Sequence, residues 1–357
     1  MLFNALAHFQ YYLKEFSGYL IFNSIAFILL IYGCLKVYES KKTETQKHML
    51  LALFFTVYSL IIIYSGFEAY FRFQFDESDS LGFLKVTGKW FERHVVFNSY
   101  FVRDRDFTPQ KKPGVTRIGV VGDSVTMGYG IKDVSKRFSN RLEKKLQDAG
   151  QKVEVYNLGM SGLDTQAEME EYNKIKQLNF DIVVWEYFLN DAQPKDKSTG
   201  TRVLARESAQ GEIAKFLSER SYFFDYIYWR FSARYDKTFL ELRNADLGAY
   251  KDKDNFKRHQ EDIASFSNQL KQEQRKVVVI IFPFVRLFPN YPATEIHKTM
   301  DTIFKNQGFE VVDLLDDLKN KKAEELTIGK FDYHPNEYVQ EIAAQRLYEK
   351  ILPMIKK

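Results

Sequence analysis

Cysteine is almost absent from this chain, which has one cysteine, Cys34, and six scattered histidines among its 357 residues. A single cysteine excludes an internal disulfide, whichever compartment holds the protein. It also excludes the cysteine-rich zinc sites, and no pair of histidines has the spacing of metal ligands. We therefore expect no bound metal ion.

A strong net charge and glycine-rich phosphate loops are absent as well. The formal net charge is +4, which is too small for a chain of this length to indicate a nucleic-acid partner. The glycines in GDSVTMGYG, residues 122–130, match neither the dinucleotide-binding pattern nor the Walker pattern. We expect no nucleic-acid partner and no cofactor.

Two long runs without charge lie near the N terminus. FSGYLIFNSIAFILLIYGCL follows Glu15, and MLLALFFTVYSLIIIYSGF follows His48. Each run is long enough to cross a hydrocarbon core of about 30 Å as a helix. Buried helices of a soluble domain are the alternative. A cleaved signal peptide fits less well, because the first run is long, its lysines follow it and a second run comes next. The sequence predicts transmembrane helices at about 16–37 and 49–69, within a membrane anchor of residues 1–70.

The loop between these two runs sets the predicted orientation. ESKKTETQKH and the preceding Lys36 carry four lysines, and basic loops stay on the cytoplasmic side. Arg72, Lys85 and Lys89 lie just beyond the second run and partly offset this bias. We expect the residues after about Phe71 to lie outside the cytoplasmic membrane.

From Arg117 onward, short apolar runs alternate with helical patterns. The runs are RIGVVGDS, KVEVYNLG, DIVVWEYF, KVVVIIFPF and FEVVDLL. Runs that are apolar throughout are typical of strands covered on both faces, and strands that alternate with helices form parallel sheets with right-handed crossovers. The sequence predicts a connecting segment at 71–115 and a doubly wound α/β domain at 116–357.

An aromatic-rich helical insertion is predicted at about 194–274, because that interval is too long for one crossover. It contains SYFFDYIYWRFSARYDKTFLEL. Its rings pack on the sheet or on the helices of the insertion, or else the insertion covers the active site or rests on the bilayer surface.

Small and polar residues follow the predicted strands. The first strand ends in Gly122-Asp123-Ser124, the second in NLGMSG with Gly162, and the third in EYFLND with Asn190. FDYHPN, which contains Asp332 and His334, lies between the last strand and the last helix. Because ligand sites of parallel sheets lie beyond the carboxyl ends of the strands, we expect these blocks to meet at one edge.

These four blocks resemble the SGNH branch of the GDSL hydrolases, and FNSYFVRDRDF before RIGVVGDSVTMGYGI resembles the membrane-anchored members of bacterial envelopes. The resemblance implies a flavodoxin-like three-layer α/β/α domain. It also implies Ser124 as the nucleophile and His334 as its base, with Asp332 as the partner of the base. Ser124, Gly162 and Asn190 then form the oxyanion hole.

Elementary chemistry agrees with this assignment. A serine hydroxyl attacks an ester well only when a base removes its proton, and the base needs a third group that fixes its tautomer. Gly122 and Gly128 permit a tight turn that exposes the serine. His297 has no adjacent aspartate in the sequence, so it is not a candidate base.

The chain departs from the family pattern at two positions. The family usually has aspartate three residues before the histidine, where this chain has Phe331, and Asp332 lies two residues before His334. Asp313, Asp316 or a backbone carbonyl are the alternative partners of the imidazole. In the third block Phe188 replaces the usual glycine, and we expect it to narrow the acyl pocket.

Together these features predict a membrane-anchored serine esterase or O-acyltransferase in the bacterial cytoplasmic membrane, with its catalytic domain on the periplasmic or cell-surface side. The expected substrate is an acyl ester, most plausibly acetyl, of a cell-envelope carbohydrate. Lipid esters are the alternative substrates. The rival of another class is a non-catalytic scaffold that partners a membrane-bound O-acyltransferase.

Overall fold

The five apolar runs form one parallel sheet in a computed structural model that describes residues 2–193 and 207–355. The strands are β1 (Thr116–Val121), β2 (Val153–Asn157), β3 (Ile182–Phe188), β4 (Lys276–Phe282) and β5 (Glu310–Asp313). Their order in the sheet is β2-β1-β3-β4-β5, which is the order of flavodoxin-like folds, with its reversal between β1 and β3. The predicted doubly wound α/β fold is confirmed.

The centre of the sheet is covered on both faces. Every residue of β3 is buried, and so is every residue of β4 except Lys276. In the paired register Val184 lies between Val120 of β1 and Val278 of β4. Continuous burial explains why these strands are apolar at every position and do not alternate.

The described residues form fourteen α-helices, several of which make a layer on each face of the sheet. They are α1 (Leu2–Glu39), α2 (Glu44–Ala69), α3 (Val86–His94), α4 (Ser124–Met127), α5 (Phe138–Asp148), α6 (Thr165–Ile175), α7 (Glu212–Arg220), α8 (Tyr222–Phe231), α9 (Arg234–Ala249), α10 (Lys253–Gln272), α11 (Thr294–Asn306), α12 (Leu315–Leu318), α13 (Ala323–Leu326) and α14 (Glu337–Ile355). Helices α5 and α14 pack together on one face, and α6, α10 and α11 cover the other. This is the predicted three-layer arrangement.

Each covering helix buries one stripe of side chains. On α14 the buried residues include Val339, Ala343, Leu347 and Ile351, which are spaced four apart and therefore share one face of the helix. Trp185 of β3 contacts Phe266 of α10 and Phe304 of α11 on the opposite face, with ring centroids 4.8 and 5.2 Å away.

The chain divides into two compact units. The first comprises Met1–Asp76 and Ser208–Arg230, and the second comprises Glu77–Glu207 and Phe231–Lys357. The segment expected to connect anchor and domain thus contributes residues from 77 onward to the second unit, which holds the sheet.

The first unit contains both apolar helices. The stretches 16–39 and 44–74 are long and apolar enough to cross a membrane, judged by length and composition. Helix α2 begins with a capping box, because the Thr43 side chain accepts a hydrogen bond from the N–H of Gln46 and the Gln46 side chain accepts one from the N–H of Thr43.

The predicted insertion is divided between the two units. Residues 194–206 lie outside the described part of the chain. Helix α7 and nearly all of α8 belong to the unit of the apolar helices, where Glu68 of α2 accepts hydrogen bonds from the Ser221 hydroxyl at 2.7 Å and from the N–H groups of Tyr222 and Phe223 at 3.1 and 3.0 Å. Helices α9 and α10 belong to the unit of the sheet.

Candidate active site

Ser124 lies at the N terminus of the short helix α4, directly after β1. The Asp123 side chain caps this helix by accepting the N–H of Val125 at 2.8 Å. A side chain at Gly122 would collide with Thr126 and Glu186. Gly128 ends the helix at φ 74°, in the left-handed region that favours glycine. The two glycines thus permit the sharp turn that presents the serine.

His334 lies in the loop between α13 and α14 and contacts Ser124. Its Nε2 is 2.9 Å from the Ser124 hydroxyl oxygen. Its Nδ1 is 2.6 Å from Oδ1 of Asp332. The structure therefore brings the three residues of the predicted triad into one continuous hydrogen-bonded chain.

The charge on Asp332 determines the direction of these hydrogen bonds. Asp332 is fully buried, and burial alone would raise its pKa. The facing His334 and hydrogen bonds from His334 and the Ser78 hydroxyl instead hold the pKa of Asp332 below its ordinary value. An ionised carboxylate only accepts hydrogen bonds, so the proton of the imidazole is on Nδ1. Nε2 is then the acceptor, placed to take the proton of Ser124.

The three predicted oxyanion donors line one cavity of about 330 Å³ together with His334. The backbone N–H groups of Ser124 and Gly162 donate to no acceptor within residues 2–193 and 207–355. The Asn190 amide donates one hydrogen bond to Asp123 Oδ2 at 3.3 Å, and an amide nitrogen has two N–H groups. This arrangement places unused donors next to the serine.

The alternative acids lie elsewhere. Asp313 contacts His297, with its Oδ1 2.9 Å from Nδ1 of that ring. Asp316 forms an exposed ion pair with Lys319 at 2.9 Å. Both alternatives are thus engaged with other partners, whereas Asp332 faces the imidazole of His334.

The segment 78–84 reaches the site, and the sequence analysis assigned it no part there. The Ser80 hydroxyl donates to Asp332 Oδ1 at 3.2 Å and accepts the N–H of Tyr333 at 2.8 Å. Asp79 accepts hydrogen bonds from the N–H groups of Leu81 and Leu84 at 2.8 and 2.7 Å. No strand pattern marks this segment in the sequence, and only its cluster of polar residues, ESDS, sets it apart.

Residues after β4 and on α9 complete the cavity. The remaining lining includes Tyr129, Phe188, Phe239, Leu242, Arg243, Phe284, Arg286 and Tyr333. Phe188 packs edge-to-face on Phe284, with ring centroids 4.8 Å apart, so its ring is part of the cavity wall. The end of the fourth strand, which FPFVRLFP follows, is not among the predicted site blocks, although the rule for strand ends applies there as well.

A cluster of carboxyl groups lies behind the serine turn. Asp123, Glu168, Glu186 and Asp191 are all buried. Glu186 Oε2 accepts the N–H of Asp123 at 3.1 Å and the hydroxyl of Thr126 at 3.0 Å. Burial raises the pKa of Glu186 well above its ordinary value, and the nearby Asp123 and Glu168 raise it further. Glu186 is not among the site residues predicted from the sequence.

Comparisons with known proteins identify the family. Residues 120–342 match the GDSL-like lipase/acylhydrolase family. A comparison with curated protein sequences gave no match.

Three solved structures are similar over most of their length. A lipase/acylhydrolase from Enterococcus faecalis is 17% identical with a TM-score of 0.43, over 67% of this chain and 96% of that one. The esterase EstA from Pseudoalteromonas sp. is 12% identical with a TM-score of 0.40, over 68% and 100%. AlinE4, an SGNH-hydrolase family esterase, is 12% identical with a TM-score of 0.38, over 69% and 97%.

The family match covers more than half of the chain and includes all four blocks on which the sequence resemblance rested. The predicted family is therefore confirmed. The chain belongs to the GDSL-like lipase/acylhydrolase family and is a serine hydrolase.

Proposed function

We propose that this protein is a membrane-anchored serine esterase or O-acyltransferase that acts on acyl esters, in particular acetyl esters, of cell-envelope carbohydrate. The observation that carries the proposal is the hydrogen-bonded chain Ser124–His334–Asp332, with distances of 2.9 and 2.6 Å. A chain of this kind activates a serine for attack on an acyl carbonyl.

In the first half of the reaction, the Ser124 oxygen attacks the acyl carbonyl carbon while His334 Nε2 takes the hydroxyl proton. Asp332 stabilises the imidazolium that forms. The negative charge on the former carbonyl oxygen accepts hydrogen bonds from the N–H groups of Ser124 and Gly162 and from the Asn190 amide. Each such donor lowers the barrier by about 3 kcal/mol in comparable enzymes. The alcohol then leaves with the proton from His334, and the acyl group stays on Ser124.

In the second half, an oxygen nucleophile attacks the acyl-serine. His334 removes the proton of that nucleophile and returns a proton to the Ser124 oxygen as the ester breaks. Water as the nucleophile gives hydrolysis, and a sugar hydroxyl gives transfer. The same residues serve both outcomes, so the acceptor that reaches the cavity decides between them.

Two apolar helices, 16–39 and 44–74, support the proposed anchor. With the basic loop between them in the cytoplasm, the serine site lies on the outer side of the membrane, where envelope carbohydrates are found. The cavity volume of about 330 Å³ and the Phe188 ring in the cavity wall favour a small acyl group.

The test uses the full chain purified in detergent, with a small aryl acetate as acyl donor. Acetate release is measured with and without an added oligosaccharide acceptor, and the acceptor is analysed by mass spectrometry for an added acetyl group. Activity that depends on Ser124 supports the proposal, and acetylated acceptor selects transfer over hydrolysis. An inactive wild type under both conditions contradicts the proposal and favours the non-catalytic scaffold that partners a membrane-bound O-acyltransferase.

A lipid esterase is the second candidate function. The observation that favours it is the apolar part of the cavity wall, where Phe188, Phe239 and Phe284 lie near the serine. Aryl esters of increasing acyl length separate the two candidates. Turnover that is highest for acetyl supports the carbohydrate ester, and turnover that rises up to eight or more carbons supports the lipid ester.

A further inference from the structure

Two guanidinium groups line the same cavity as Ser124 and His334. Arg243 lies on α9, and Arg286 lies in the 3-10 turn Val285–Leu287 after β4. Neither belongs to the proposed triad or to the oxyanion hole. We propose that these arginines bind an oxyanion, a carboxylate or phosphate group, on the alcohol part of the ester substrate. This proposal rests on the proposed function, because it concerns the substrate of the same serine.

Arg243 is held in place from two sides. Its guanidinium carbon lies 4.7 Å from the ring centroid of Phe284 and 5.2 Å from that of Phe239. It also pairs with the buried Asp246 of the same helix at 2.9 Å. Stacking on these aromatic faces fixes the guanidinium plane, and a planar guanidinium suits the two oxygens of a carboxylate or phosphate.

Arg286 lies beside the proposed catalytic loop. Its guanidinium carbon is 4.9 Å from the ring centroid of Tyr333, the residue that precedes His334. Its Nη2 is 3.7 Å from Oδ1 of Asp236, which is too long for a direct hydrogen bond. The side chain is 34% exposed. An anion of the substrate that contacts Arg286 would therefore lie close to the reacting ester.

Positive charge predominates among the charged side chains that face the cavity. Asp236 and Asp246, the carboxylates paired with the two arginines, do not line it. The described lining residues include a single carboxyl group, that of Asp79, together with the two guanidinium groups. Asp79 already accepts hydrogen bonds from two backbone N–H groups and from the Tyr235 hydroxyl. A neutral sugar ester gains no charge-assisted hydrogen bond from these two guanidinium groups, whereas a carboxylate or phosphate does.

An acetyl group in an ester has no ionisable group, so the anion belongs to the alcohol part of the ester. An acidic sugar supplies a carboxylate, and a phosphorylated polyol or a lipid headgroup supplies a phosphate. These sources share the chemistry that a guanidinium recognises, and the experiment distinguishes them.

The kinetic test compares two aryl acetates that differ in one charge, 4-acetoxybenzoate and its neutral methyl ester. We expect the full chain to hydrolyse the anionic ester with a kcat/KM about tenfold or more higher, as charge-assisted hydrogen bonds permit. Arg286→Gln should bring this ratio close to one, because it should lower kcat/KM for the anionic ester far more than kcat/KM for the neutral ester. Arg243→Lys keeps the charge but loses the planar fork, and it should lower the ratio as well.

Lys237→Gln is the matched control, because Lys237 lies on α9 with a side chain that is 75% exposed and does not line the cavity. The ratio should be unchanged in this variant. Equal kcat/KM values for the two esters in the wild type, or a preference for the anion that survives Arg286→Gln, would overturn the proposal. A wild-type protein that hydrolyses neither ester would instead contradict the proposed function.

A binding measurement is independent of turnover and separates the sources of the anion. Ser124→Ala protein is titrated calorimetrically with D-glucuronate and with glycerol 1-phosphate, and with glucose and glycerol as neutral counterparts. Binding of glucuronate that is lost in the Ser124→Ala, Arg286→Gln double variant supports an acidic sugar. Binding of glycerol phosphate with the same loss supports a phosphate. Failure of both anions to bind at millimolar concentration contradicts the proposal.

Discussion

Asp332 contacts His334 twice through one oxygen, since Oδ1 accepts the backbone N–H of His334 at 3.0 Å and lies 2.6 Å from its Nδ1. An aspartate that accepts the N–H of the residue two positions later forms an Asx turn. This turn folds the two side chains onto each other across a spacing of two residues. A spacing of two residues is therefore compatible with a direct Asp–His contact, although the family usually has a spacing of three residues.

Replacing Asp332 tests whether this contact orients the imidazole. Asp332→Asn keeps the shape but offers an N–H where Nδ1–H needs an acceptor, which favours the wrong tautomer. In a well-studied triad the matching change lowers turnover by about 10⁴, and we expect a loss of similar size in aryl acetate hydrolysis. Asp316→Asn, at an exposed ion pair, is the control and should retain wild-type turnover. A loss smaller than about tenfold in Asp332→Asn would show that another group orients His334.

Removal of the nucleophile should separate chemistry from stability. We expect Ser124→Ala to abolish covalent labelling by a fluorophosphonate, while the melting temperature stays within a few degrees because one hydroxyl adds little to packing. Ser161→Ala is the matched control, since Ser161 lines the same cavity and is exposed. Labelling should persist in Ser161→Ala, and equal labelling in Ser124→Ala would contradict the assignment of the nucleophile.

A second Asp–His pair lies away from Ser124 and provides a comparison for the first. His297 is buried, contacts Asp313 through Nδ1 at 2.9 Å and contacts the Tyr291 hydroxyl through Nε2 at 2.9 Å. We expect His297→Gln to lower the free energy of unfolding by about 1–3 kcal/mol through unsatisfied buried groups and to retain fluorophosphonate labelling. His334→Ala should abolish fluorophosphonate labelling and leave the free energy of unfolding nearly unchanged. Full activity of His334→Ala would require a different base.

The buried carboxyl group of Glu186 predicts a pH dependence of stability. Its pKa is raised in the folded state, chiefly by burial, so the folded chain binds the proton more tightly than the unfolded chain does. Its contribution to stability is therefore present below the unfolded pKa of about 4.3 and is lost as the pH rises towards the folded pKa. The charges of Asp123 and Glu168 raise the pKa of Glu186 further, and Glu186 in turn raises the pKa of the buried Asp191.

Glu186→Gln removes this titration but keeps a carbonyl oxygen that can accept from Asp123 and Thr126. Between pH 5 and pH 8 we expect the unfolding free energy of the variant to rise relative to that of the wild type by about 1 kcal/mol or more, since one unit of pKa shift corresponds to about 1.4 kcal/mol. Urea denaturation at several pH values measures the difference. Glu170→Gln, at an exposed position on α6, should show no such trend, and a parallel pH profile for Glu186→Gln would contradict the prediction.

The single cysteine allows a direct test of the proposed topology. In a Cys34→Ser background, Lys42→Cys places a thiol in the loop between α1 and α2, and Lys144→Cys places one on the exposed face of α5. We expect a membrane-impermeant maleimide to label Lys144→Cys in intact spheroplasts and Lys42→Cys only after lysis. The opposite pattern would put the serine site in the cytoplasm and exclude envelope carbohydrates as substrates.

Sequence reasoning located the parts of the site that follow a regular pattern. Ser124 and Asn190 come directly after apolar strands, and the sheet topology alone is enough to bring such residues to one edge. The loop with His334 lies between the last strand and the last helix, so the same topology brings it to that edge. Local patterning therefore accounts for the strands, their parallel direction and the residues at their ends.

Ser80 and Arg243 could not be found in this way. Ser80 contacts Asp332 across 252 positions of the chain, and Arg243 reaches the cavity on a helix of a long insertion. Neither position is marked by strand periodicity, because each is brought to the site by the packing of irregular segments and not by the sheet. Long-range contacts of this kind depend on the whole fold, and one sequence gives no local signal for them.

The chain passes between the two compact units after Asp76, after Glu207 and after Arg230, so three covalent links join them. A single proteolytic cut after the apolar helices would leave the sheet-containing unit joined through the segment 208–230, whose Ser221, Tyr222 and Phe223 hydrogen-bond to Glu68 of α2. Separation of the sheet-containing unit would therefore also require the segment 208–230 to dissociate from α2, and a truncation that begins at residue 77 would remove Glu68, to which the start of α8 hydrogen-bonds.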